Sequence, residues 1–170
     1  MENTMIVDVS SILKEFGGIV AVSGEIAMSD TDFLGEMYHF EKPLTITGNI
    51  ANNGKSLIFR AECAGEMRTV CARCTKDIDV EVNFDVDEVL AQDDGTVSED
   101  SDVILFDGHM IDIDDIIINN FLMNISGKYL CSEDCKGLCS NCGADLNEGD
   151  CGCNHDVIDP RWSALADLIK

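Results

Sequence analysis

The chain has 170 residues, 45% of them apolar, and a formal net charge of −22 that arises from 33 acidic and 11 basic residues. This length suits one ordinary domain with a small appended module. No apolar run approaches about 18 residues and the N-terminus lacks a basic, apolar secretory signal, so we expect a cytoplasmic protein without a membrane partner. The acidic surface argues against general binding to phosphate backbones, and it indicates either solubility alone or attraction to a basic partner.

Short β elements are predicted for the first part of the chain. Residues 1–15 alternate weakly, which indicates a strand followed by a short helix, and residues 19–28 indicate a strand that ends in a turn at 30–32. A hairpin is predicted for the next two alternating segments, LTITGNI and SLIFRAECAGEM, because the Asn-Asn-Gly sequence between them favours positive φ angles.

The middle of the chain contains the clearest strand. Residues 78–90, IDVEVNFDVDEVL, alternate apolar and mostly acidic side chains, as expected of a half-buried antiparallel strand. The polar segment 91–102 is predicted to be an exposed acidic loop, and VILFDG after it a short strand. A helix is predicted for DIDDIIINNFLMNI, with Asp112 or Asp114 near its start, although its β-branched isoleucines leave a strand as the alternative there.

A cysteine-rich module of residues 128–170 is predicted to follow a β-rich domain of residues 1–127. The chain ends in DPRWSALADLI, which predicts a short helix that is capped by Asp159, begins with Pro160 and packs on this module. The predicted fold class is therefore α+β. It comprises an antiparallel β-sheet or partly open barrel, few helices, and a C-terminal zinc-knuckle module that ends in the short helix.

Nine cysteines are the main chemical feature of the sequence, and six of them lie within residues 131–153. Disulfides would need an oxidising compartment, and an odd number of cysteines leaves one over. Zn²⁺ instead prefers four soft ligands in a tetrahedron, and two cysteines separated by two residues can chelate it from one tight turn. One such pair is weak evidence, whereas several close pairs and a Cys-x-Cys sequence indicate metal binding.

The cysteines divide naturally into two groups of four, which predicts one or two structural zinc ions. The first group is a compact knuckle made of Cys139, Cys142, Cys151 and Cys153. The second group joins the sheet to the C-terminal module and consists of Cys71, Cys74, Cys131 and Cys135. The alternatives are a single zinc site with the Cys71–Cys74 pair as ordinary or redox thiols, or His155 in place of one of the last two cysteines. Cys63 lies in an alternating strand and is predicted to be a buried side chain, not a ligand.

These sites are predicted to stabilise the fold and not to catalyse a reaction. Four cysteines fill the zinc shell, whereas catalytic zinc keeps a position open for water. A redox Cys-x-x-Cys pair prefers a helix N-terminus after a parallel strand, and Cys71-Ala-Arg-Cys74 instead precedes a predicted antiparallel strand. We therefore expect no enzymatic activity and no small-molecule substrate. Four nearby cations are expected to offset the thiolate charge, namely Arg73, Lys76, Lys128 and Lys136.

Three segments carry a family resemblance: VCARC before an acidic strand, CSEDCKGLCSNCGADLNEGDCGC, and the terminal DPRWSALADLIK. Together they resemble the YceD family, the large ribosomal RNA subunit accumulation proteins, from about residue 44 to the end of the chain. The resemblance implies an acidic protein implicated in accumulation or processing of large-subunit ribosomal RNA, without an established enzymatic activity. Some relatives lack the C-terminal cysteines, which implies that a metal stabilises the domain and is not the shared activity.

The resemblance and the charge together suggest how the protein acts. A chain with a net charge of −22 needs a local basic patch to contact phosphates, or it works through a basic ribosomal protein. We expect the second, with a pre-50S particle or a basic ribosomal protein as partner. A local contact with ribosomal RNA near Arg68, Arg73, Lys76 and Lys136 is the alternative. Competing functions are a zinc-dependent regulatory or interaction module and a thiol redox protein.

Overall fold

The structure, a computed structural model, describes residues 4–33, 35–93 and 103–153, which form nine strands and one helix. In chain order these are β1 (Ile6–Asp8), β2 (Ile19–Ile26), β3 (Thr31–Phe33), β4 (Glu36–Tyr38), β5 (Leu44–Asn52), β6 (Leu57–Val70), β7 (Asp77–Gln92), β8 (Ile104–Phe106), β9 (Met110–Asp112) and α1 (Ile113–Asn124). The predominance of strands beside one helix agrees with the predicted α+β class.

The central feature is a five-stranded sheet with the strand order β2-β5-β6-β7-β8. Its two longest strands, β6 and β7, pair in antiparallel register from Leu57↔Leu90 to Val70↔Asp77 and form a long ribbon. The alternating strand predicted at 78–90 is thus confirmed. The sheet is open, since β2 and β8 form its two edges. The prediction of an antiparallel sheet is wrong for one pair of strands, because β8 pairs with β7 in parallel. A parallel pair requires a crossover connection, which the alternation of apolar and polar residues does not reveal.

The short helix predicted near the N-terminus is wrong. After β1, residues 9–15 form consecutive turns in which the N–H groups of Ile12 and Leu13 both donate to the Val9 carbonyl, at 3.0 and 3.1 Å. The Asn52 amide donates to the carbonyls of Ile12 and Leu13 at 2.6 and 3.1 Å. A residue distant in sequence therefore takes the acceptors that a continuing helix would use, while Val9 and Ile12 enter the core.

The two predicted turns have opposite outcomes. The turn predicted at 30–32 is wrong, because the chain from residue 31 is already in β3, which pairs with β4. The hairpin predicted around the Asn-Asn-Gly sequence is confirmed between β5 and β6. Gly54 has a φ of 92°, and the Asn53 side-chain oxygen accepts from the two N–H groups that follow Gly54, both at 2.9 Å.

The helix predicted after the acidic loop is confirmed by α1. Asp112 is its N-cap, and the Asp112 carboxylate accepts from the Asp114 N–H at 3.0 Å. One side of α1 packs on the inner face of the sheet, where the Phe121 ring lies 6.2 Å from the Phe84 ring. The β1–β9 pair leads directly into this helix, because β9 ends at its cap.

One hydrophobic core lies between the inner face of the sheet, the N-terminal turns and α1. Its largest fully buried side chains are Tyr38, Phe59, Phe121, Leu44, Ile46, Ile50, Met67, Leu90, Ile113 and Ile117. The opposite face of the sheet, called the outer face below, presents the exposed alternate residues of β6 and β7, such as Glu62 and Asp85. One buried and one solvated face is the usual arrangement of an antiparallel sheet.

Some predictions fall beyond the described residues. The closing helix at 159–169 and the acidic loop from residue 94 onward lie outside them, and the division into residues 1–127 and 128–170 stays a prediction. Within the described ranges, no helix is long and apolar enough to cross a membrane.

Candidate metal centre

The turn between β6 and β7 presents the first two thiols. The Cys71 N–H donates to the Lys76 carbonyl and the Thr75 N–H donates to the Cys71 carbonyl, both at 2.8 Å. These bonds close a tight turn in which Thr75 takes a φ of 57°. Cys71 and Cys74 are only 0% and 3% exposed, so the turn directs both thiols into the protein.

The segment after α1 reaches this turn through Tyr129. The Ala72 N–H donates to the Tyr129 carbonyl at 2.9 Å. The Tyr129 ring stands edge-on to the buried Tyr38 ring, with centroids 6.4 Å apart. Cys131 follows two residues later, and its Sγ lies 3.6 Å from the Cys74 Sγ. An aromatic contact and a backbone hydrogen bond therefore place the third thiol.

Arg73 fixes the next part of the chain. Its guanidinium donates to the Cys135 carbonyl at 2.8 Å, and its own carbonyl accepts from the Leu138 N–H at 3.0 Å. Gly137 packs over Arg73 with a φ of 75°, and a Cβ added there would lie 2.9 Å from the Arg73 carbonyl oxygen. This close approach brings the Cys135 Sγ to 3.8 Å from the Cys71 Sγ.

The inner site, as we call this first group, consists of Cys71, Cys74, Cys131 and Cys135, whose sulfurs all lie within 4.8 Å of one another. With Zn–S bonds of about 2.3 Å, a tetrahedral four-cysteine zinc site has S–S edges of about 3.8 Å. The Sγ–Sγ distances of 3.6 and 3.8 Å fit such edges. They are far longer than the disulfide bond of about 2.05 Å. Both the donor set and its spacing therefore fit one divalent metal ion.

The outer site is the second group and consists of Cys139, Cys142, Cys151 and Cys153, with sulfurs again within 4.8 Å of one another. The Cys139 N–H donates to the Ala144 carbonyl, and the Gly143 N–H donates to the Cys139 carbonyl, both at 2.8 Å. Gly143 permits this tight turn with a φ of 74°. The outer site is more accessible than the inner one, since Cys139 is buried, Cys142 is exposed and the last two cysteines are intermediate.

Hydrogen bonds and like-charge repulsion set the acidity of the inner thiols. Burial raises the pKa of Cys71, but backbone N–H groups, those of Cys131 and Arg73 first, outweigh burial and lower this pKa to about 6. The pKa of Cys131 is raised to about 12, first by its side-chain hydrogen bond with Cys135 and then by that with Cys74. A thiolate at one sulfur thus opposes ionisation of its neighbour, and a divalent cation between them removes that penalty.

The outer site repeats this pattern. The backbone N–H groups of Cys142 and Asn141 lie 3.5 and 3.4 Å from the Cys139 Sγ and lower the pKa of that thiol to about 6. The pKa of Cys153 is raised to about 12 by hydrogen bonds with Cys142 and then Cys151. Each site therefore contains at least one readily ionised sulfur that is stabilised by N–H donors, Cys71 in the inner site and Cys139 in the outer one, a common setting for metal-bound cysteine.

The structure places all eight predicted cysteines in two groups of four with the predicted membership. Their binding of a metal stays a prediction. Cys63 belongs to the main hydrophobic core, is 2% exposed, and has its pKa raised to about 11 by burial. His155, the alternative ligand, lies outside the described residues.

Sequence reasoning missed the polar residues that connect the two sites. Asp145 and Asn147 lie between the second and third cysteines of the outer site. Asp145 pairs with Lys76 on the β6–β7 turn at 2.8 Å, and this hydrogen bond is the main cause of the raised pKa of Lys76. Lys76 was expected to offset the thiolates, but its nearest partner is a carboxylate. The sequence offers only the polar Ala-Asp-Leu-Asn segment between the cysteine pairs, and Asn and Asp are too common in loops for this segment to predict these contacts.

The geometry of both sites suits a structural role better than catalysis. Four sulfurs complete a tetrahedron, so a metal held by them has no position for water or substrate. The Cys71–Cys74 pair lies in a turn between two antiparallel strands, which differs from the helix N-terminus that activates redox pairs.

Comparison with sequence models of protein families identifies the family of this chain. The sequence model described as large ribosomal RNA subunit accumulation protein YceD matches residues 59–169. The chain belongs to the YceD family. The matched region contains β7, α1 and every cysteine of the inner and outer sites, so the family signature and the candidate metal centre coincide.

Curated relatives come from mycobacteria. An uncharacterized protein of Mycobacterium bovis is 30% identical over 102 residues, which cover 58% of this chain and 49% of the relative, and one of Mycobacterium tuberculosis gives the same values. An uncharacterized protein of Mycobacterium leprae is 22% identical over 170 residues, or 97% of this chain and 77% of the relative. The chain spans about half the length of the first two relatives. No solved structure is significantly similar to it.

Proposed function

We propose that this YceD-family protein is a non-enzymatic factor that supports accumulation, processing or assembly of large-subunit ribosomal RNA, with two structural zinc ions. The observation that carries the proposal is the pair of closed four-thiol sites inside the region that matches the family. Zinc is the metal of choice because four soft thiolates at tetrahedral spacing favour it over harder cations. In the inner site the ion would join the β6–β7 turn to the segment after α1.

Carboxylates neutralise much of the basic neighbourhood that would contact RNA. Arg68 pairs with Glu41 at 2.6 Å and with Asp79 at 2.8 Å, and Lys76 pairs with Asp145 at 2.8 Å. Cations held in this way are poorly placed to bind phosphates, because the paired carboxylates repel the same phosphates. These ion pairs support docking on a basic ribosomal protein of a pre-50S particle over direct contact with ribosomal RNA.

The outer face of the sheet provides carboxylates for such docking. Glu62 lies directly opposite Asp85 in the β6–β7 register, and both side chains are exposed. Among the described residues, no Lys or Arg side-chain nitrogen lies within 4.0 Å of an oxygen of either carboxylate. Directly opposed like charges destabilise a sheet, and a segment rich in Lys and Arg would relieve that repulsion. Association of this kind weakens as salt rises.

Zinc content is the first test of the proposal. Protein purified without chelator should contain about two zinc ions per chain if each group of four thiols binds one. About one ion per chain would support the single-site alternative. Absence of metal together with oxidised thiols would refute the zinc centre and favour the redox alternative.

Sedimentation with pre-50S particles tests the partner. The purified protein should co-sediment with these particles in a salt-sensitive manner, and changing both Glu62→Gln and Asp85→Asn should weaken association on the order of tenfold. The charge-matched control changes Asp32→Asn and Asp107→Asn, which are exposed but lie outside the β6–β7 ribbon. An equal loss in the control, or tight binding to naked ribosomal RNA at physiological salt, would contradict docking by the outer face. A zinc-dependent regulatory module would not co-sediment at all.

A further inference from the structure

The inner and outer sites are connected by a side chain that belongs to neither group of cysteines. Asn147 lies in the loop that joins the two halves of the outer site, yet its side chain reaches the inner site. Its Nδ2 donates to the Cys135 Sγ at 3.4 Å and to the Asp145 Oδ1 at 2.7 Å. Its Oδ1 accepts from the Lys136 N–H at 2.7 Å.

The hydrogen-bond partners determine which way the Asn147 amide points. The backbone N–H of Lys136 can only donate, so the atom that faces it must be the amide oxygen. The amide nitrogen then faces two acceptors, the Cys135 sulfur and the Asp145 carboxylate. The contact with the sulfur is therefore an N–H donor to a thiolate, the type of bond that stabilises a metal-bound cysteine.

Other contacts hold the same loop against the inner site. The Asp145 carboxylate pairs with the Lys76 ammonium at 2.8 Å on the β6–β7 turn. The Leu146 N–H donates to the Gly137 carbonyl at 2.9 Å, and Leu138 forms a β-bridge with Asp145. The loop of the outer site therefore folds back over the short link between the two sites and onto the turn that carries Cys71 and Cys74.

We propose that the two sites bind metal cooperatively, and that Asn147 is the positioning residue that couples them. A metal in the outer site joins both ends of the loop, and the ordered loop holds the Asn147 amide against the Cys135 sulfur. A metal in the inner site fixes Cys135 and thereby the place where Asn147 docks. Linkage makes the effect reciprocal, so each metal raises the affinity for the other by the same factor. This inference rests on the proposed function, since it requires both sites to bind metal.

The size of the effect follows from the kind of contact. Removal of a group that donates a hydrogen bond to a metal-ligating side chain usually lowers metal affinity by about 10- to 100-fold. Asn147→Ala should therefore lower the affinity of the inner site by about tenfold and leave two metals bound at saturation.

Titration of the full chain with Co²⁺ measures this effect, because thiolate-to-cobalt charge-transfer absorption reports binding by cysteine. Double substitution of Cys139→Ser and Cys142→Ser isolates the inner site. Loss of the outer site should lower the metal affinity of the inner site by about tenfold when Asn147 is present. In the Asn147→Ala background, loss of the outer site should leave the inner-site affinity unchanged. Circular dichroism of each variant checks that the sheet is folded, and stepwise binding constants of the intact Asn147→Ala chain give the same comparison without any cysteine change.

A conservative variant separates a role at the sulfur from a role in loop geometry. Asn147→Asp keeps the acceptor for the Lys136 N–H but replaces the donor to Cys135 with a carboxylate oxygen. We expect Asn147→Asp to bind Co²⁺ at the inner site no better than Asn147→Ala, and the exposed knuckle variant Ser140→Ala to bind as the wild type does. Two results would overturn the proposed coupling but not the proposed metal centre. One is wild-type affinity for Co²⁺ in Asn147→Asp, and the other is binding of two Co²⁺ with affinities that Asn147→Ala leaves unchanged. Failure of the wild type to bind Co²⁺ would overturn the proposed metal centre itself.

Discussion

Loss of the inner-site metal should release the cysteine module from the sheet while the sheet stays folded. Four hydrogen bonds hold the module to the β6–β7 turn apart from the cysteines. Two are backbone bonds, from the Ala72 N–H to the Tyr129 carbonyl at 2.9 Å and from the Leu138 N–H to the Arg73 carbonyl at 3.0 Å, and two run from the Arg73 guanidinium to the carbonyls of Glu133 and Cys135 at 3.3 and 2.8 Å. Each is worth about 1 kcal/mol net, so together they contribute about 4 kcal/mol, and the partly exposed Lys76–Asp145 ion pair adds to them. A structural zinc site contributes about 10–16 kcal/mol in small zinc domains at neutral pH. A metal ion bound at the inner site would therefore dominate this junction.

The sheet has a separate source of stability. Its core is a contiguous hydrophobic cluster, whereas Cys71, Cys74 and Cys135 form a small cluster of their own with Ile78 at its border. Cys135→Ser should consequently lose about one zinc ion per chain and expose residues 128–153, while the amides of β5 and the central part of β6 remain protected.

Hydrogen exchange measured by mass spectrometry, with zinc analysis of the same samples, checks both parts of this prediction. The control is Cys63→Ala, which changes a buried cysteine that lies in the main core and in neither site. That control should retain both metals and the protection of residues 128–153, although its overall stability falls. Full zinc content and unchanged protection in Cys135→Ser would refute the reasoning, and so would simultaneous loss of protection in the whole sheet.

Three further changes test the local chemistry. Gly137→Ala should weaken zinc retention against a chelator more than Gly143→Ala, because both have positive φ angles (75° and 74°) but only the first would bring a Cβ against a neighbour, the Arg73 carbonyl oxygen at 2.9 Å; equal effects would contradict this. Asp112→Ala removes the N-cap of α1 and should lower the free energy of urea unfolding by about 1 kcal/mol, whereas no change would show that the cap is dispensable. Burial raises the pKa of Cys63 from 9.0 to about 11, so its stabilising contribution is present below pH 9 and is lost as the pH rises through 11. Cys63→Ala should make the urea midpoint less sensitive to pH over that interval, and an unchanged decline would exclude this thiol as its cause.

Sequence patterns predicted those parts of the fold whose causes are local. The alternation in β7 is readable because a strand with one buried face repeats every two residues, and the cap at Asp112 is readable because it acts within one turn. The prediction of an N-terminal helix is wrong because the Asn52 amide, about 40 residues away in sequence, donates hydrogen bonds to the carbonyls of Ile12 and Leu13. The parallel pairing of β8 also depends on a partner that no local pattern names.

The candidate metal centre shows the same distinction. Membership of the two sites followed from spacing, because two cysteines in one turn must serve the same ion. The contacts of Asn147 with Cys135 and of Asp145 with Lys76 did not follow from spacing. Asn and Asp residues are frequent in loops for many reasons, so only the path of the chain around the sites reveals that these two reach across to the inner site and to the turn that carries it.

The reason for concentrating thiols at this end of the molecule is visible in the packing. The described part of the cysteine module has little apolar interior of its own, since Leu130 and Leu138 are each 38% exposed. A segment this short cannot bury enough apolar surface to fold alone, and metal clusters commonly replace the missing core. The four-thiol inner site also lies where the β6–β7 ribbon extends beyond the main core. One ion bound there would therefore anchor both the ribbon and the cysteine module. In the proposed function, the thiols would thus supply stability at one end of the ribbon, and the Glu62 and Asp85 carboxylates of the outer face would contact a basic partner.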